Sequence, residues 1–329
     1  DLIIGTPGRV LDHLRRGNLK AELFGASTLV IDEFDKSLEM GFTEEMRQII
    51  DFFSASIRKR MFVSATKAVD LSEWTNIDKT ETVEFQLNEE ESGLELLRVT
   101  SPDKDKVETL KKLVQSFKGE SCIVFCNFRE SAERAAKALR ECGADVVTYH
   151  GALEQKDRER ALFTFASGCA TVLAKTDVAA RGLDISLVQH VVHFEMPQNL
   201  ETFTHRNGRT ARQSATGSAY LIIYREYKLP DFLPRKLEEY KVPEVDDNAS
   251  LDAKFMPIYI GRGKKEKISR GDVAGFLMKT AELAKEDVGL ITLYDHYSLV
   301  AIRPTAIKKV LKANGSKIKG EKTRVEIAR

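Results

Sequence analysis

Short apolar runs that end in polar clusters set the rhythm of the first 86 residues. Leu2-Ile3-Ile4 runs into Thr6-Pro7-Gly8-Arg9, Leu29-Val30-Ile31 into Asp32-Glu33-Phe34-Asp35, and Met61-Phe62-Val63 into Ser64-Ala65-Thr66. Strands buried on both faces of a parallel sheet read this way. Residues 1–86 therefore read as strand, helix, strand, helix, strand, with 83–85 as a closing strand. The acidic, weakly patterned stretch 87–93 suits a linker. Beyond it, strands at 121–126, 145–149, 170–174, 190–194 and 217–223 alternate with amphipathic helices at 107–117, 131–140 and 155–166. That alternation, over 94–224, predicts a second parallel sheet with helices on both faces. The pattern breaks in 225–254, where Pro230, Pro234, Pro243 and an Asp246-Asp247-Asn248 cluster mark a second linker. In 255–329, strands at 257–260, 288–294, 298–302 and 323–328 and helices at 271–281 and 305–313 follow a β-α-β-β-α-β order. RNA-recognition motifs are built on that ferredoxin-like arrangement.

Composition narrows the functional class. Hydrophobic residues are 42% of the chain and charged residues 31%, the balance of a globular protein. No apolar run approaches the roughly 20 residues of a membrane helix, so no membrane partner is expected. Cys122, Cys126, Cys142 and Cys169 follow neither metal-ligand nor disulfide spacing, which fits buried thiols in a reducing cytosol and a cytoplasmic location. The net charge of +1 hides an asymmetry: from Met256 onward 16 Lys plus Arg face 8 Asp plus Glu, a local +8 that leaves −7 upstream. A segment that basic points to a polyanion partner.

The polar clusters carry the chemistry. Ligands of open α/β sheets bind beyond the carboxyl ends of the strands. Adjacent carboxylates there, Asp32 and Glu33, can hold Mg²⁺ through water and orient a water on a phosphate. The turn at Thr6, Gly8 and Arg9 opens a helix and offers N–H groups to a phosphate, with Arg9 adding charge. His205, Arg209 and Arg212, spaced i, i+4 and i+7, share one stripe if helical, and clustered arginines call for an anion. The γ-phosphate of ATP fits that demand, with Arg209 and Arg212 as arginine fingers.

In order, TPGR, DEFD, SAT, TDVAARGLD and HRNGRTAR resemble the DEAD-box family of RNA helicases. Phe34 replaces the family's usual alanine beside the carboxylates, Phe128 stands at a usual threonine, and Asn207 and Ala211 at usual aliphatic and glycine positions. The resemblance implies ATP and Mg²⁺ as cofactors, Asp32 organising the metal and Glu33 acting as general base. It also implies that Asp35 ties its loop to Ser64 and Thr66, with His205 in the same coupling set, and that Gly182 and Asp184 approach ATP. Thr6, Gly8, Arg9, Arg129, Gly151, Arg158 and Thr176 would contact RNA, with Gln155 beside Arg158. The basic tail resembles the RNA-binding domain of DbpA-type helicases through Ser269-Arg270-Gly271-Asp272-Val273 and Lys317-Ile318-Lys319-Gly320. Lys317 and Lys319 would bind RNA there, and Tyr259 and Tyr297 could stack bases.

The implied fold is a partial RecA-like domain over 1–86, a complete one over 94–224 and an α+β tail resembling an RNA-recognition motif over 255–329. The implied function is ATP-dependent unwinding of short duplexes in structured, plausibly ribosomal, RNA. Nothing matches the phosphate loop G-x-x-x-x-G-K-[ST], and the chain opens at Asp1 within a strand. The expectation is therefore an N-terminally shortened helicase, inactive by itself as an ATPase. A non-catalytic RNA-binding protein is the competing reading. A DNA translocase on the same core is a third, against which TPGR and HRxGR weigh.

Overall fold

A computed structural model describes residues 2–17, 25–39, 41–53, 56–64, 81, 83, 94–177, 188–210, 217–234, 236–244 and 251–328. The chain divides into two compact units, Asp1–Gln86 and Leu87–Arg329. In the first, α1 (Pro7–Arg15) precedes β1 (Thr28–Ile31), α2 (Phe34–Glu39), α3 (Thr43–Phe52) and β2 (Lys59–Phe62). Pro7 at the first turn of α1 is pre-set for a helix start. Leu11 and Leu14, three apart on one face, bury against Ile49 and Phe53 at the end of α3. Strands β1 and β2 run parallel with Val30 opposite Met61. Residues 84 and 85 of the expected closing strand lie outside the described residues.

The second unit holds a seven-stranded sheet in the order β5-β6-β4-β7-β8-β3-β9. Its strands are β3 (Leu94–Ser101), β4 (Cys122–Cys126), β5 (Val146–Tyr149), β6 (Val172–Thr176), β7 (His190–His193), β8 (Gly217–Tyr224) and β9 (Glu238–Glu239). Every pairing in it is parallel. Helices α4 (Val107–Ser116) and α5 (Arg129–Glu141) cover one face, α6 (Gln155–Ala166) and α7 (Leu200–Asn207) the other. On α5, Ala132, Ala135, Ala136 and Leu139 form an apolar stripe fully buried against the sheet. Along β4, Cys122, Val124 and Cys126 enter one core while Ile123 and Phe125 enter the other. All four cysteines are free thiols.

Three features depart from the sequence pattern. Residues 2–4, expected as a strand, are exposed and belong to no strand. Strand β3 was not expected; Leu-Glu-Leu-Leu-Arg-Val mixes two periodicities, and only its eight-residue pairing with β8 decides the outcome. Strand β6 extends to Thr176, two residues past the expected 174, and takes Lys175 into the sheet interior. The proposed linker 225–254 runs along the sheet: β9 pairs with β3, and Tyr240, Val242 and Leu251 pack on the α4/α5 core.

The last segment forms β10 (Met256–Ile260), α8 (Arg270–Lys279), β11 (Val288–Leu293), β12 (Ser298–Ile302), α9 (Ile307–Lys312), a hairpin of β13 (Lys317–Ile318) and β14 (Glu321–Lys322), and β15 (Val325–Ile327). The order β11-β12-β10-β15 is antiparallel throughout, the expected β-α-β-β-α-β sheet with an added hairpin. Ser269 and Asp272 form a reciprocal capping box at the start of α8. The hairpin turns on Lys319 at φ 49° and Gly320 at φ 86°, the two left-handed residues of a tight two-residue turn.

Candidate nucleotide and RNA site

In the first unit the DEFD loop leaves β1 through a strained residue, since Glu33 sits at φ 48°. Its N–H donates to Asp32 Oδ1 at 2.9 Å. Both carboxylates stay exposed at the strand end, and hard oxygen donors that keep water suit Mg²⁺. Among the described residues no group of three or more metal-ligating side chains exists, so such an ion would be held largely by water and phosphate. Asp35 is buried. The SAT segment is joined to this loop by backbone: Phe34 N–H donates to Val63 O at 3.0 Å and Val63 N–H to Ile31 O at 2.9 Å. Ser64 follows directly; Thr66 lies outside the described residues.

Phe34 does not crowd the carboxylates. It is 1% exposed, turned into the α2–α3 core against Met46 and Ile50, and meets Phe62 edge-on at 5.0 Å. Burying that ring contributes about 2 kcal/mol. At the other loop, Thr6 is extended, its carbonyl accepts from Val10 N–H at 3.0 Å, and Gly8 and Arg9 remain exposed. Arg9 reaches Asp12, at 3.4 Å. The start of α1 thus presents N–H groups and a guanidinium to solvent.

In the second unit the carboxyl ends of β4, β6 and β7 converge on Arg206, a residue the motif stripe passed over. Its side chain is 1% exposed. It donates to both oxygens of Asp177 at 2.8 and 2.7 Å, to Glu195 O at 2.7 Å and to Asn127 Oδ1 at 2.7 Å. The guanidinium also lies 5.2 Å from the centre of the Phe125 ring. Glu195 closes the lattice by accepting from Asn127 N–H at 2.6 Å and Ser131 Oγ at 2.8 Å. Every nitrogen of the fork is used, and four of its five N–H donors are spent on these partners, so Arg206 orders the edge. Beneath it, His193 is fully buried and shares a 2.9 Å hydrogen bond with Asn207. That bond satisfies the polar Asn207 at an otherwise aliphatic position. Burial, with Arg206 adding to it, pushes His193 down to about 3, so the ring is neutral.

The expected helical stripe does not form. Helix α7 ends at Asn207, and Gly208 caps it. Two bonds draw the chain away: Thr210 Oγ1 donates to Val188 O at 2.7 Å, and Val188 N–H to Arg209 O at 3.1 Å. Glycine's low helix propensity lets those outside partners win. Arg209 therefore sits in the turn after the helix, half-buried. His205 is on the last turn of α7 with the Glu201 carboxylate 3.6 Å away. Arg212, Gly182 and Asp184 lie outside the described residues.

Thr176 ends β6 with 6% exposure, beside Asp177. Lys175, just before it, is fully buried over the Phe125 ring at 5.2 Å, and its ammonium has no hydrogen-bond partner among the described residues. Arg158 donates to Gly151 O at 2.6 Å and Leu153 O at 3.0 Å, so it shapes the exposed loop that carries Gly151. Gln155 bonds Glu159 at 3.0 Å along α6. Arg129 is exposed at the start of α5 with Glu130 at 3.1 Å.

In the last domain the β13–β14 hairpin and the 263–272 loop form a basic rim. Lys319 Nζ donates to Lys267 O and meets Asp272, both at 2.8 Å, which anchors the hairpin on the α8 cap. The Lys319 contact, with Ser269, holds the Asp272 carboxyl down at about 2. Lys317 is exposed on the same hairpin.

Comparison with known proteins follows the same division of the chain. Residues 1–73 match the DEAD/DEAH box helicase family, 105–214 the helicase conserved C-terminal domain and 257–327 the DbpA RNA binding domain. The ATP-dependent RNA helicase DbpA of Escherichia coli (strain K12) is 35% identical over 334 residues, covering 99% of this chain and 72% of that protein. The DbpA of Bacillus subtilis (strain 168) is 30% identical over 359 residues, covering 99% of the chain and 74% of that protein. Among solved structures, S. cerevisiae Dbp5 bound to RNA and ADP BeF3 superposes with a TM-score of 0.59 at 29% identity, over 68% of this chain and 59% of that one. The chain belongs to the DEAD-box family of ATP-dependent RNA helicases, in the group that carries a DbpA-type RNA-binding domain.

Proposed function

We propose that the protein opens short duplexes in structured RNA, ribosomal RNA being the expected class, in the cytoplasm and at the expense of ATP. The observation that carries this reading is the Arg206 lattice. It draws Asn127, Asp177 and Glu195, from three strand ends, to one edge. Thr176 and the turn bearing Arg209 sit beside that edge, where a phosphate chain can be met. In this reading Glu33 takes the proton of the attacking water, and Asp35, Ser64, Thr66 and His205 serve in coupling. Arg209 and Arg212 stabilise charge on the transferred phosphoryl group. Asp32 would hold Mg²⁺ through water, and the ion would neutralise phosphate charge. Gly182 and Asp184 would meet ATP. Thr6, Gly8, Arg9, Arg129 and the loop shaped by Arg158 would meet RNA.

When a phosphate-loop segment precedes Asp1, the enzyme should displace a strand from a short RNA duplex only with ATP, and Glu33→Gln should abolish this. Displacement unchanged by that substitution would sink the reading. The 329 residues by themselves contain no G-x-x-x-x-G-K-[ST]. RNA-stimulated ATP turnover by this chain should therefore stay at background, because the N–H cradle and lysine for the β- and γ-phosphates are absent. Turnover that Glu33→Gln removes would show otherwise.

The charge of the tail makes a further expectation. RNA affinity of the whole chain should fall steeply with salt, each neutralised phosphate adding roughly −0.7 to −0.9 to the slope of log K against log salt. Lys317→Ala should flatten that slope by about 1 unit while weakening all sequences alike. A flat salt titration removes the rim as an RNA contact.

A further inference from the structure

An RNA-recognition fold offers bases the helix-free face of its sheet, through aromatic side chains. Here that face is occupied. Strand β10 turns Ile258 and Ile260 toward α8 and α9, which leaves Tyr259 on the opposite side. Tyr259 and Tyr297 stack at 5.4 Å, Tyr297 and Tyr294 at 4.6 Å, forming a ladder of three parallel rings. The ladder, with Leu299 and Ala301, packs on Phe163 of α6 and on Cys169 just after it, both nearly fully buried. The Tyr294 hydroxyl donates to Glu159 O on α6 at 3.4 Å. Burial pushes that phenol up to about 12, and the Tyr297 phenol also rises, with burial first and Glu159 second.

The chain between the domains reinforces the contact. Phe255 N–H donates to Gly168 O at 3.3 Å, Ala253 N–H to Asp145 Oδ2 at 2.7 Å and Thr171 Oγ1 to Leu251 O at 3.3 Å. Gly289 leaves room for the Phe255 ring, since a Cβ there would stand 3.2 Å from that ring and 3.2 Å from Ala301 Cβ.

We infer that the tyrosine face of the C-terminal sheet is a fixed dock for α6 and the loop after it, closed to RNA bases. The expected base-stacking role of Tyr259 and Tyr297 is thereby replaced. The consequence, which rests on the RNA-binding reading of the basic rim, concerns α6. This helix carries Gln155 and Arg158 at its start and receives the tyrosines farther along. RNA held on the rim is then held at a set position relative to the Gly151 loop.

The test uses the whole chain and two readouts. Amide relaxation should give one tumbling time for residues 94–224 and 256–328 in the native chain, and two shorter times in Phe163→Asp. Tyr297→Ala, made from the other side of the contact, guards against damage to the helicase domain and should give the same split. Binding of a fluorescent RNA hairpin by Tyr297→Ala should stay within about 2-fold, whereas losing one stacked base would cost about 5- to 150-fold. Independent tumbling in the native chain, or photocrosslinks from RNA bases to Tyr259 or Tyr297, would overturn the dock. If the hairpin does not bind at all, the RNA reading of the rim falls, and the tumbling times still decide the dock.

Discussion

Arg206→Ala should lower the unfolding free energy of the second unit by roughly 3 kcal/mol, the low end for breaking a buried ion pair. The low end applies because the Asp177 side chain is 32% exposed and water can partly resolvate it. Asn127 Oδ1 and the Glu195 carbonyl also lose a donor, and buried acceptors left unpaired carry their own desolvation cost. Lysine should not rescue the loss, since one ammonium cannot meet Asp177, Asn127 and Glu195 along the directions of a planar fork. Urea denaturation of wild type, Arg206→Ala and Arg206→Lys measures this. A change below about 1 kcal/mol in the alanine variant, the range of an exposed pair, would mean the lattice is not structural. A lysine variant as stable as wild type would mean that charge alone suffices.

Much of the fold was legible because its rules are local. Alternation of apolar runs with amphipathic helices marks the parallel sheets, and the polar residues at the run ends mark each sheet's carboxyl edge, with Asp32 on the first and Asn127 and Asp177 on the second. What stayed hidden depends on distant partners. Arg206 reads as one arginine among several in a motif, and its role appears only when Asp177 and Asn127, 29 and 79 residues away, arrive at its fork. The stripe through His205 and Arg209 presumed a helix that Gly208 ends, because the competing bonds come from Val188. Phe34 adjoins the carboxylates in sequence, and only the fold shows its ring turned into the core against Met46 and Ile50. The tyrosines read as a stacking platform because nothing in their neighbourhood announces that Phe163 and Glu159, more than ninety residues upstream, will cover them. Strand β6 ran past its expected end because a lysine argues against burial, and here the lysine is buried.

That lysine yields the second large effect. Lys175→Met should stabilise the chain by roughly 3 kcal/mol at pH 7, an unusual sign for a change in a sheet interior. Methionine keeps most of the unbranched stem and its packing on Phe125 while removing an ammonium that has no hydrogen-bond partner among the described residues. Burial first, then Arg209, drives Lys175 down to about 7; Asp177 opposes them and Arg206 adds to them. Its folded pKa thus lies below the unfolded value of about 10.4. Below pH 7 both states hold the proton and the full cost is present. Between pH 7 and about 10.4 the unfolded chain keeps a proton that the folded chain has released, so this term raises stability with pH and the cost fades. The buried thiols work the other way. Burial pushes Cys126 up to about 12 and Cys169 to about 11, so above about pH 8.5 the unfolded state loses those protons first and stability falls. Subtracting the methionine variant from wild type at each pH cancels the thiols and isolates Lys175. Urea titrations from pH 6 to 10 should show the gap between the two proteins widest at the acidic end and closing toward pH 10. A variant less stable than wild type, or a gap that does not change with pH, would mean that Lys175 is charged and well solvated in the fold, and the buried-cation account would fail.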